Sequence, residues 1–107
     1  LCSYYNFGPN EKDIASVKDV MEIASSSLNM LNIKYINNFK GLHEANLLSL
    51  DTSKSHSLLN FNPKWGLQES VTRTINWYQN YHDCESALSL CEADIKEYET
   101  TFSEIIK

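Results

Sequence analysis

The stretch NFNPKWG, at residues 60–66, is the feature that most constrains how this chain can fold. Pro63 has no backbone N–H and disfavours the α region for Asn62, so a helix on its amino-terminal side must end before it. After Gly66, apolar residues recur at helical spacing, which predicts an amphipathic helix over residues 67–81. The stripe of that helix comprises Leu67, Val71, Thr74, Ile75, Tyr78 and Tyr81.

Two further helices are predicted, one before NFNPKWG and one after the helix at residues 67–81. TSKSHSLL, at residues 52–59, predicts a short helix, and Asp51 is placed to accept hydrogen bonds from backbone N–H groups two or three residues on. From Ser86, apolar residues again share one stripe while the acidic residues largely lie opposite, which predicts a last amphipathic helix. That stripe comprises Leu88, Cys91, Ile95, Tyr98, Phe102 and Ile105.

The amino-terminal part of the chain predicts a strand followed by a helix. CSYYNF, at residues 2–7, is aromatic and β-favouring, and the turn residues GPN stop it, which is typical of a short buried strand. Ser16 and Asp19 then form a capping-box pattern. Apolar residues behind it recur at three- and four-residue steps, and they predict a helix over about residues 16–29.

A second strand is predicted after that helix. Ile33, Tyr35 and Ile36 form another β-favouring run, and strand, helix, strand usually folds as a right-handed parallel crossover; an irregular segment is the alternative. ANLLSLD, at residues 45–51, predicts a third short strand or an extended segment. The expected fold over residues 1–107 is therefore one helix-rich α/β (α+β) domain, in which a short strand-helix-strand unit precedes a short helix and two longer amphipathic helices.

Charge and hydropathy exclude several classes of protein. The chain has 9 basic and 14 acidic side chains, a formal net charge of -5, and its basic residues are scattered singly, which argues against a nucleic-acid binder. No apolar run approaches the ~20 residues of a membrane span, and no leader precedes the predicted fold, so we expect a cytoplasmic protein. Leu1 in place of Met indicates a fragment or a processed product.

The cysteine pattern matches neither a disulfide framework nor a zinc ribbon. Cys2, Cys84 and Cys91 are odd in number and form no C-x-x-C, so free thiols are expected. Cys84 and Cys91 share a helical face and His82 is close by, but a metal site there would need two further ligands. Packing or surface thiols are the favoured interpretation, and no metal ligand is predicted.

Known catalytic templates are missing from the sequence. It contains no G-x-S-x-G, no H-E-x-x-H, no Walker loop and no G-x-G-x-x-G that opens a helix after a strand. Its three glycines are isolated and cannot form a phosphate-cradling loop. No catalytic residue is therefore predicted in this chain.

Three features remain as candidates for ligand binding. His43 and Glu44 lie between two strand-like runs, where they could reach a ligand, and an ordinary surface loop is the alternative. Asn6, at the end of the first predicted strand, is a second polar candidate. A group of aromatic side chains offers a stacking platform for a sugar or a base, although its helical spacing favours core packing. It comprises Trp65, Trp77, Tyr78 and Tyr81.

Several stretches of the chain resemble one enzyme family in order along the sequence. YYNFGPN at 4–10, HEANLLSLD at 43–51 and SKSHSLLNFNPKWGLQESVTRTINWYQNY at 53–81 look like the carboxy-terminal third of CDP-glucose 4,6-dehydratases, which belong to the extended short-chain dehydrogenase/reductases. The acidic tail YHDCESALSLCEADIKEYE resembles their closing helix. NFGP and HEANLLSLD point to the CDP-glucose branch, whereas the D-x-S-K pattern with the helix after it is typical of the whole superfamily.

The resemblance implies a parent enzyme that oxidises C4 of a glucosyl unit with tightly held NAD, eliminates water across C5 and C6, and returns the hydride to C6. In that family the NAD loop and the acid/base residues lie upstream of the matched region, which forms the substrate-binding lobe. By position, the implied substrate-binding residues are His43, Glu44, Asn46 and Asn6. Related dehydratases place an arginine in this loop to pair with phosphate, and this chain has none between Gly41 and Asp51.

The same resemblance implies the partners of the lobe. They are CDP-glucose or a similar nucleotide sugar, and a Rossmann domain that this chain lacks and that binds NAD. The lobe alone is expected to be inactive, and it could form homo-oligomers. The alternative is a non-catalytic helical interaction module, because a lobe without its partner domain exposes the apolar surface that the domain would cover.

Overall fold

The computed structural model describes residues 2–29 and 49–102, and this part of the chain folds into four α-helices. They are α1 (Val17–Leu28), α2 (Ser53–Leu59), α3 (Leu67–His82) and α4 (Ala87–Thr100), and a 3-10 turn at Glu11–Asp13 precedes α1. All four helices occur where the sequence predicts them, and most ends differ from the expectation by one or two residues. The exception is the end of α4, which stops at Thr100 although the predicted stripe continues to Ile105.

The predicted α/β fold is wrong, because the described residues form helices and contain no strand. Residues 2–7 have no regular secondary structure. A strand needs a neighbouring strand to complete its hydrogen bonds, and β-favouring side chains cannot supply one. The second predicted strand, at residues 33–36, lies outside the described residues.

The amino-terminal segment is held by side chains of α2 and by Phe61 just after it, in place of the hydrogen bonds of a partner strand. The Ser55 hydroxyl hydrogen-bonds the carbonyl oxygen of Asn6, and the Lys54 ammonium hydrogen-bonds that of Tyr4. The ring of Phe7 meets that of Phe61 edge-on, with the centroids 5.1 Å apart. The segment is therefore fixed across α2 by side chains.

Local signals at both ends explain the bounds of α1. Ser16 Oγ accepts from the Asp19 N–H at 3.2 Å, and Asp19 Oδ2 accepts from the Ser16 N–H at 2.9 Å, which completes the predicted capping box. Asn29 ends the helix in the left-handed region, with φ at 53°. Asparagine tolerates that region better than most residues.

The main helix pair of the described part is α1 with α3. The Ser27 hydroxyl of α1 lies 3.4 Å from the Thr72 hydroxyl of α3. The apolar side chains of the two helices that are partly buried are Val20, Ile23, Ala24 and Leu28 in α1 and Leu67, Val71 and Ile75 in α3. These two amphipathic stripes supply most of the apolar packing within the described residues.

The corner at Pro63 joins α3 to the carboxy-terminal end of α4. The Lys64 N–H donates to the Tyr98 hydroxyl at 3.1 Å, and the Lys64 ammonium lies 3.0 Å from the Tyr98 carbonyl oxygen. Trp65 Nε1 donates to Thr101 Oγ1 at 3.1 Å, and its ring meets that of Tyr98 edge-on. A cation is favourable at this end of a helix because the last carbonyl groups carry partial negative charge.

Helix α4 packs through one edge of its predicted apolar stripe, at Tyr98, and through Leu90, which lies outside that stripe. Leu90 is the one buried apolar side chain in the described residues, and it shares a face with Asp94 and Tyr98 at four-residue spacing. On the predicted stripe, Leu88 and Phe102 are 68% and 86% exposed. The contacts at the Pro63 corner and at α3 decide which face of α4 is covered.

Candidate functional site

Asn6 is the residue of the predicted substrate-binding group that lies in the described part of the chain. His43, Glu44 and Asn46 lie outside the described residues. The described surroundings of this candidate site therefore consist of the segment around Asn6 and the residues of α2 that hold it.

A buried hydroxyl holds the backbone at Asn6. Ser55 Oγ lies 2.8 Å from the carbonyl oxygen of Asn6 and 2.9 Å from that of Thr52, and it donates its single proton to one of them at a time. Ser55 is 1% exposed, so water does not reach the hydroxyl. Because a buried polar group is costly without a partner, this hydrogen bond ties the segment at Asn6 to the first turn of α2.

The side chain of Asn6 lies beside the residue that precedes α2. Asn6 Nδ2 is 3.5 Å from the carbonyl oxygen of Asp51, a long hydrogen bond on an exposed residue. The carboxamide oxygen of Asn6 accepts no hydrogen bond from the described residues. This side chain can therefore both donate to and accept from a neutral polar group such as a sugar hydroxyl.

Gly8 allows close packing between the NFGP segment and the residues before α2. A Cβ added at Gly8 would lie 3.3 Å from Thr52 Cγ2 and 3.8 Å from Leu50 Cβ. The first distance is tighter than an ordinary carbon–carbon contact of about 3.5–4.0 Å. Two stretches that are distant in the sequence, NFGP and the end of HEANLLSLD, thus come together here.

Asp51 stabilises the start of α2 through its carboxylate. Asp51 Oδ1 accepts from the Ser53 hydroxyl at 2.5 Å and from the Ser53 N–H at 2.9 Å. Both hydrogen bonds favour the charged carboxylate and lower the pKa of Asp51, and the bond from the Ser53 hydroxyl has the larger effect. The predicted contact with an N–H two residues on is confirmed, although Thr52 occupies the N-cap position.

Lys54 brings a positive charge to this site, and no pattern in the sequence predicts its role. Its ammonium lies 2.5 Å from Ser3 Oγ and 2.9 Å from the Tyr4 carbonyl oxygen, and it is 4.8 Å from the centroid of the Tyr5 ring. These partners are some fifty positions away in the sequence, so no local pattern could identify them. Two of the three ammonium N–H groups have hydrogen-bond acceptors among the described residues.

A second concave region, which we name the Arg73 groove, lies between α3 and α4. It consists of two adjoining clefts, of about 360 Å³ and 210 Å³, that share Arg73, Trp77 and Asp94. The described residues that complete the larger cleft are Trp65, Ser70, Thr74 and Tyr78. Its volume is near the lower end of the range for small-molecule sites.

Arg73 pairs with three carboxylates, and Asp94 is the one of them that lines the groove. Arg73 Nε lies 2.5 Å from Glu69 Oε1, whereas Nη1 and Nη2 lie 3.6 Å and 3.5 Å from carboxylate oxygens of Asp94 and Glu97. The guanidinium carbon also lies 4.3 Å from the ring centroid of Trp65. One positive and three negative side chains leave this cluster with a net charge of -2.

The aromatic side chains that the sequence offered as a core or a stacking platform differ in exposure. Trp65 and Trp77 are partly buried, while Tyr78 and Tyr81 are 63% and 54% exposed. The Trp77 ring stacks on Tyr81 with the centroids 5.3 Å apart, and it meets Tyr78 edge-on. The favoured expectation of core packing is therefore wrong for the two tyrosines.

No metal site occurs within the described residues. No group of three or more histidine, cysteine or acidic side chains is close enough there to hold an ion. Cys84 and Cys91 are both exposed free thiols. Within the same residues, no helix combines the length and the apolar character needed to cross a bilayer.

The glycines in the described residues do not fit a dinucleotide cofactor. A pyrophosphate is bound where a glycine-rich loop leads from a strand into the amino terminus of a helix. Gly66 is the N-cap of α3, but it follows a bend, and Asp13 Oδ1 would lie 3.4 Å from a Cβ added there. A carboxylate at this helix end disfavours a phosphate, so no step of hydride transfer is assigned to these residues.

Comparison with known proteins supports the resemblance of the sequence stretches. The chain is similar to part of a CDP-glucose 4,6-dehydratase. It is 28% identical over 94 residues to the enzyme of that name from Salmonella typhimurium, and the match covers 88% of this chain. It covers 26% of that enzyme, so the chain spans about a quarter of the length of the curated relative it matches. No family model matches the chain, and no solved structure matches it.

Proposed function

We propose that this chain is the carboxy-terminal, substrate-binding lobe of an NAD-dependent nucleotide-sugar 4,6-dehydratase that converts CDP-glucose to CDP-4-keto-6-deoxyglucose. The 28% identity to part of the Salmonella CDP-glucose 4,6-dehydratase is the observation that carries the proposal. In this proposal the chain binds and orients the nucleotide sugar, and a Rossmann domain outside the chain binds NAD and carries out the proton transfers.

The packing around Asn6 supports this division of roles. NFGP and HEANLLSLD are the stretches that resemble the CDP-glucose branch. Asn6 of the first hydrogen-bonds Asp51 of the second, and a Cβ added at Gly8 would contact Leu50. A ligand at this junction would meet the Asn6 carboxamide, and the Lys54 ammonium is held by the same amino-terminal segment. A neutral amide suits sugar hydroxyls and an ammonium suits a diphosphate.

The full-length protein that carries this chain provides the first test. Incubated with CDP-glucose and NAD, it should release a nucleotide sugar that has lost one water, detected by mass spectrometry. Asn6→Ala should raise KM for CDP-glucose about two- to tenfold, which is the effect of losing one or two neutral hydrogen bonds. Gln68→Ala removes a carboxamide from an exposed position on α3 and should leave KM unchanged.

Direct binding to the isolated chain provides the second test. We expect CDP-glucose and CDP to shift the amide NMR signals of Asn6 and of residues 43–48, with UDP-glucose weaker. Turnover of an unrelated nucleotide sugar alone would refute the choice of CDP-glucose. The dehydratase proposal would fail if both experiments were negative. In that case the full-length protein would convert no nucleotide sugar, and no nucleotide sugar would shift an NMR signal of the folded chain.

A helical interaction module is the second candidate function, and the exposure of α4 favours it. Leu88 and Ile95 share one stripe of α4, Phe102 follows the helix, and all three are more than half exposed. A Rossmann domain would cover such a stripe in the first proposal. Sedimentation separates the two: self-association that disappears on adding the cofactor domain supports the lobe, and association that persists beside it supports the interaction module.

A further inference from the structure

We propose that Ser55 is a positioning residue for the Asn6 carboxamide, and that it influences the affinity for the nucleotide sugar without touching the ligand. The inference rests on the proposed function, in which that carboxamide contacts the ligand. Ser55 is 1% exposed, so a ligand cannot reach its hydroxyl. Any effect of Ser55 on binding must therefore pass through the residues that it holds.

The segment that carries Asn6 has no regular structure of its own. Residues 2–7 form neither a helix nor a strand, and Asn6 is exposed. Each residue of such a segment has two soft backbone torsions, and rotation about either of them turns the side chain to a new direction. The direction of the Asn6 carboxamide therefore depends on the contacts that fix the backbone at this residue.

Ser55 makes a shorter hydrogen bond to Asn6 than Asp51 does. Ser55 Oγ lies 2.8 Å from the Asn6 carbonyl oxygen, whereas Asn6 Nδ2 lies 3.5 Å from the Asp51 carbonyl oxygen. The usual range for a hydrogen bond between nitrogen and oxygen is about 2.7–3.2 Å, so the contact with Asp51 is weak. The carboxamide is thus held mainly through its own backbone, and Ser55 is the residue that holds it.

The main chain of Ser55 supports the next residue of the segment as well. The Ser55 carbonyl oxygen accepts a hydrogen bond from the Phe61 N–H at 3.3 Å. The Phe61 ring in turn meets that of Phe7 edge-on, with the centroids 5.1 Å apart. Ser55 is therefore linked to two successive residues of the segment, directly to Asn6 and through Phe61 to Phe7, from within a helix.

A positioning role changes the kinetics differently from a purely structural role. In the proposed function this chain supplies binding and another domain supplies the chemistry, so a misdirected carboxamide should raise KM and leave kcat unchanged. A variant that only destabilises the fold lowers the fraction of active enzyme. That loss lowers the apparent kcat and leaves KM unchanged.

A double-mutant cycle in the full-length protein tests the inference with CDP-glucose as the substrate. We expect Ser55→Ala to raise KM about two- to fivefold, through the loss of one hydrogen bond that directs the carboxamide. In the Asn6→Ala background, the same substitution should leave KM unchanged, because no carboxamide remains to be directed. Ser57→Ala is the matched control at an exposed position of α2 and should leave KM unchanged in both backgrounds.

Two further measurements keep the test decisive. Circular dichroism at the assay temperature shows whether each variant is folded. If Ser55→Ala does not fold, Ser55→Cys takes its place in the cycle, because a thiol fills the buried position and is a weaker donor than a hydroxyl. If CDP-glucose binds to the full-length protein without turnover, Kd takes the place of KM.

Two results would overturn the inference and leave the dehydratase proposal in place. Equal KM values for Ser55→Ala and Ser57→Ala would show that the buried hydroxyl does not influence binding. An equal rise of KM for Ser55→Ala with and without the Asn6 carboxamide would show that Ser55 acts through another residue. If the full-length protein neither converted nor bound a nucleotide sugar, the proposed function would fail, and Ser55 would have no ligand to position.

Discussion

Replacing Ser55 by alanine should destabilise the fold and release the segment that carries Asn6. The Ser55 hydroxyl is 1% exposed and lies 2.8 Å from the Asn6 carbonyl oxygen. Thr52, the other acceptor, keeps a helical hydrogen bond from the His56 N–H at 3.0 Å. Removal of the hydroxyl therefore leaves the Asn6 carbonyl group facing a methyl group without a donor.

The magnitude follows from that unpaired carbonyl group. Asn6 itself is exposed, so water can replace part of the lost donor, and losing one such hydrogen bond costs about 0.5–1.5 kcal/mol in the free energy of unfolding. Alanine is a better helix former than serine by up to about 0.5 kcal/mol, which offsets part of the loss. Ser57→Ala has the same gain at an exposed position of α2, so the difference between the two variants isolates the hydrogen bond from Ser55 to Asn6 at about 0.5–1.5 kcal/mol.

Urea unfolding followed by far-ultraviolet circular dichroism measures this difference. We expect Ser55→Ala to lower the midpoint with little change in the m-value, and amide signals of residues 4–8 to move in this variant alone. In thermal unfolding, each kcal/mol should lower Tm by about 4–8 °C. If the two alanine variants agreed within about 0.5 kcal/mol, the hydroxyl would not anchor the segment and the reasoning would be refuted.

Three further predictions concern helix ends. Hydrogen bonds from Ser hydroxyl and N–H groups lower the pKa of Asp19 and Asp51 below 3.8 in the folded state. The stability that these two carboxylates contribute is therefore present above pH 3.8 and is lost as pH falls through their folded-state pKa values. Thermal melts from neutral pH to about pH 2 should show a shallower decline of Tm when both residues are changed to Asn. Lys64→Met should destabilise the last turn of α4 by about 0.3–1 kcal/mol, read by amide hydrogen exchange, whereas Lys96→Met should not. Asn60→Ala should cost about 1 kcal/mol because φ is 53° there, and Asn60→Gly should unfold at nearly the parent midpoint.

A comparison of α3 with α4 shows how well an apolar pattern in the sequence predicts which side chains are buried. For α3, the predicted stripe includes side chains that the structure partly buries, such as Val71 and Ile75. For α4, the predicted stripe contains Leu88 and Phe102, which are largely exposed, and the buried Leu90 lies on another face. An apolar stripe in the sequence indicates which side chains can be buried, and the packing of neighbouring helices determines which of them are buried.

The residues of the candidate sites also differ in whether the sequence alone could identify them. The sequence singled out Asn6, and the structure places it at the junction of two stretches that the resemblance also singled out. Lys54 and Arg73 were missed, because the partners of Lys54 lie some fifty positions away in the sequence, and Asp94 and Glu97 lie 21 and 24 positions from Arg73. Their roles depend on which charged and aromatic groups the fold brings to them.

The sequence by itself determined the position of the four helices, because the signals for helices act between near neighbours. The capping box of Ser16 and Asp19, the stop at Pro63 and the 3.6-residue period each operate within one or two turns. Only the tertiary structure decided that residues 2–7 lie on α2 without forming a strand, and which face of α4 is covered. Those outcomes depend on hydrogen bonds and packing between residues far apart in the sequence, which local propensity does not encode.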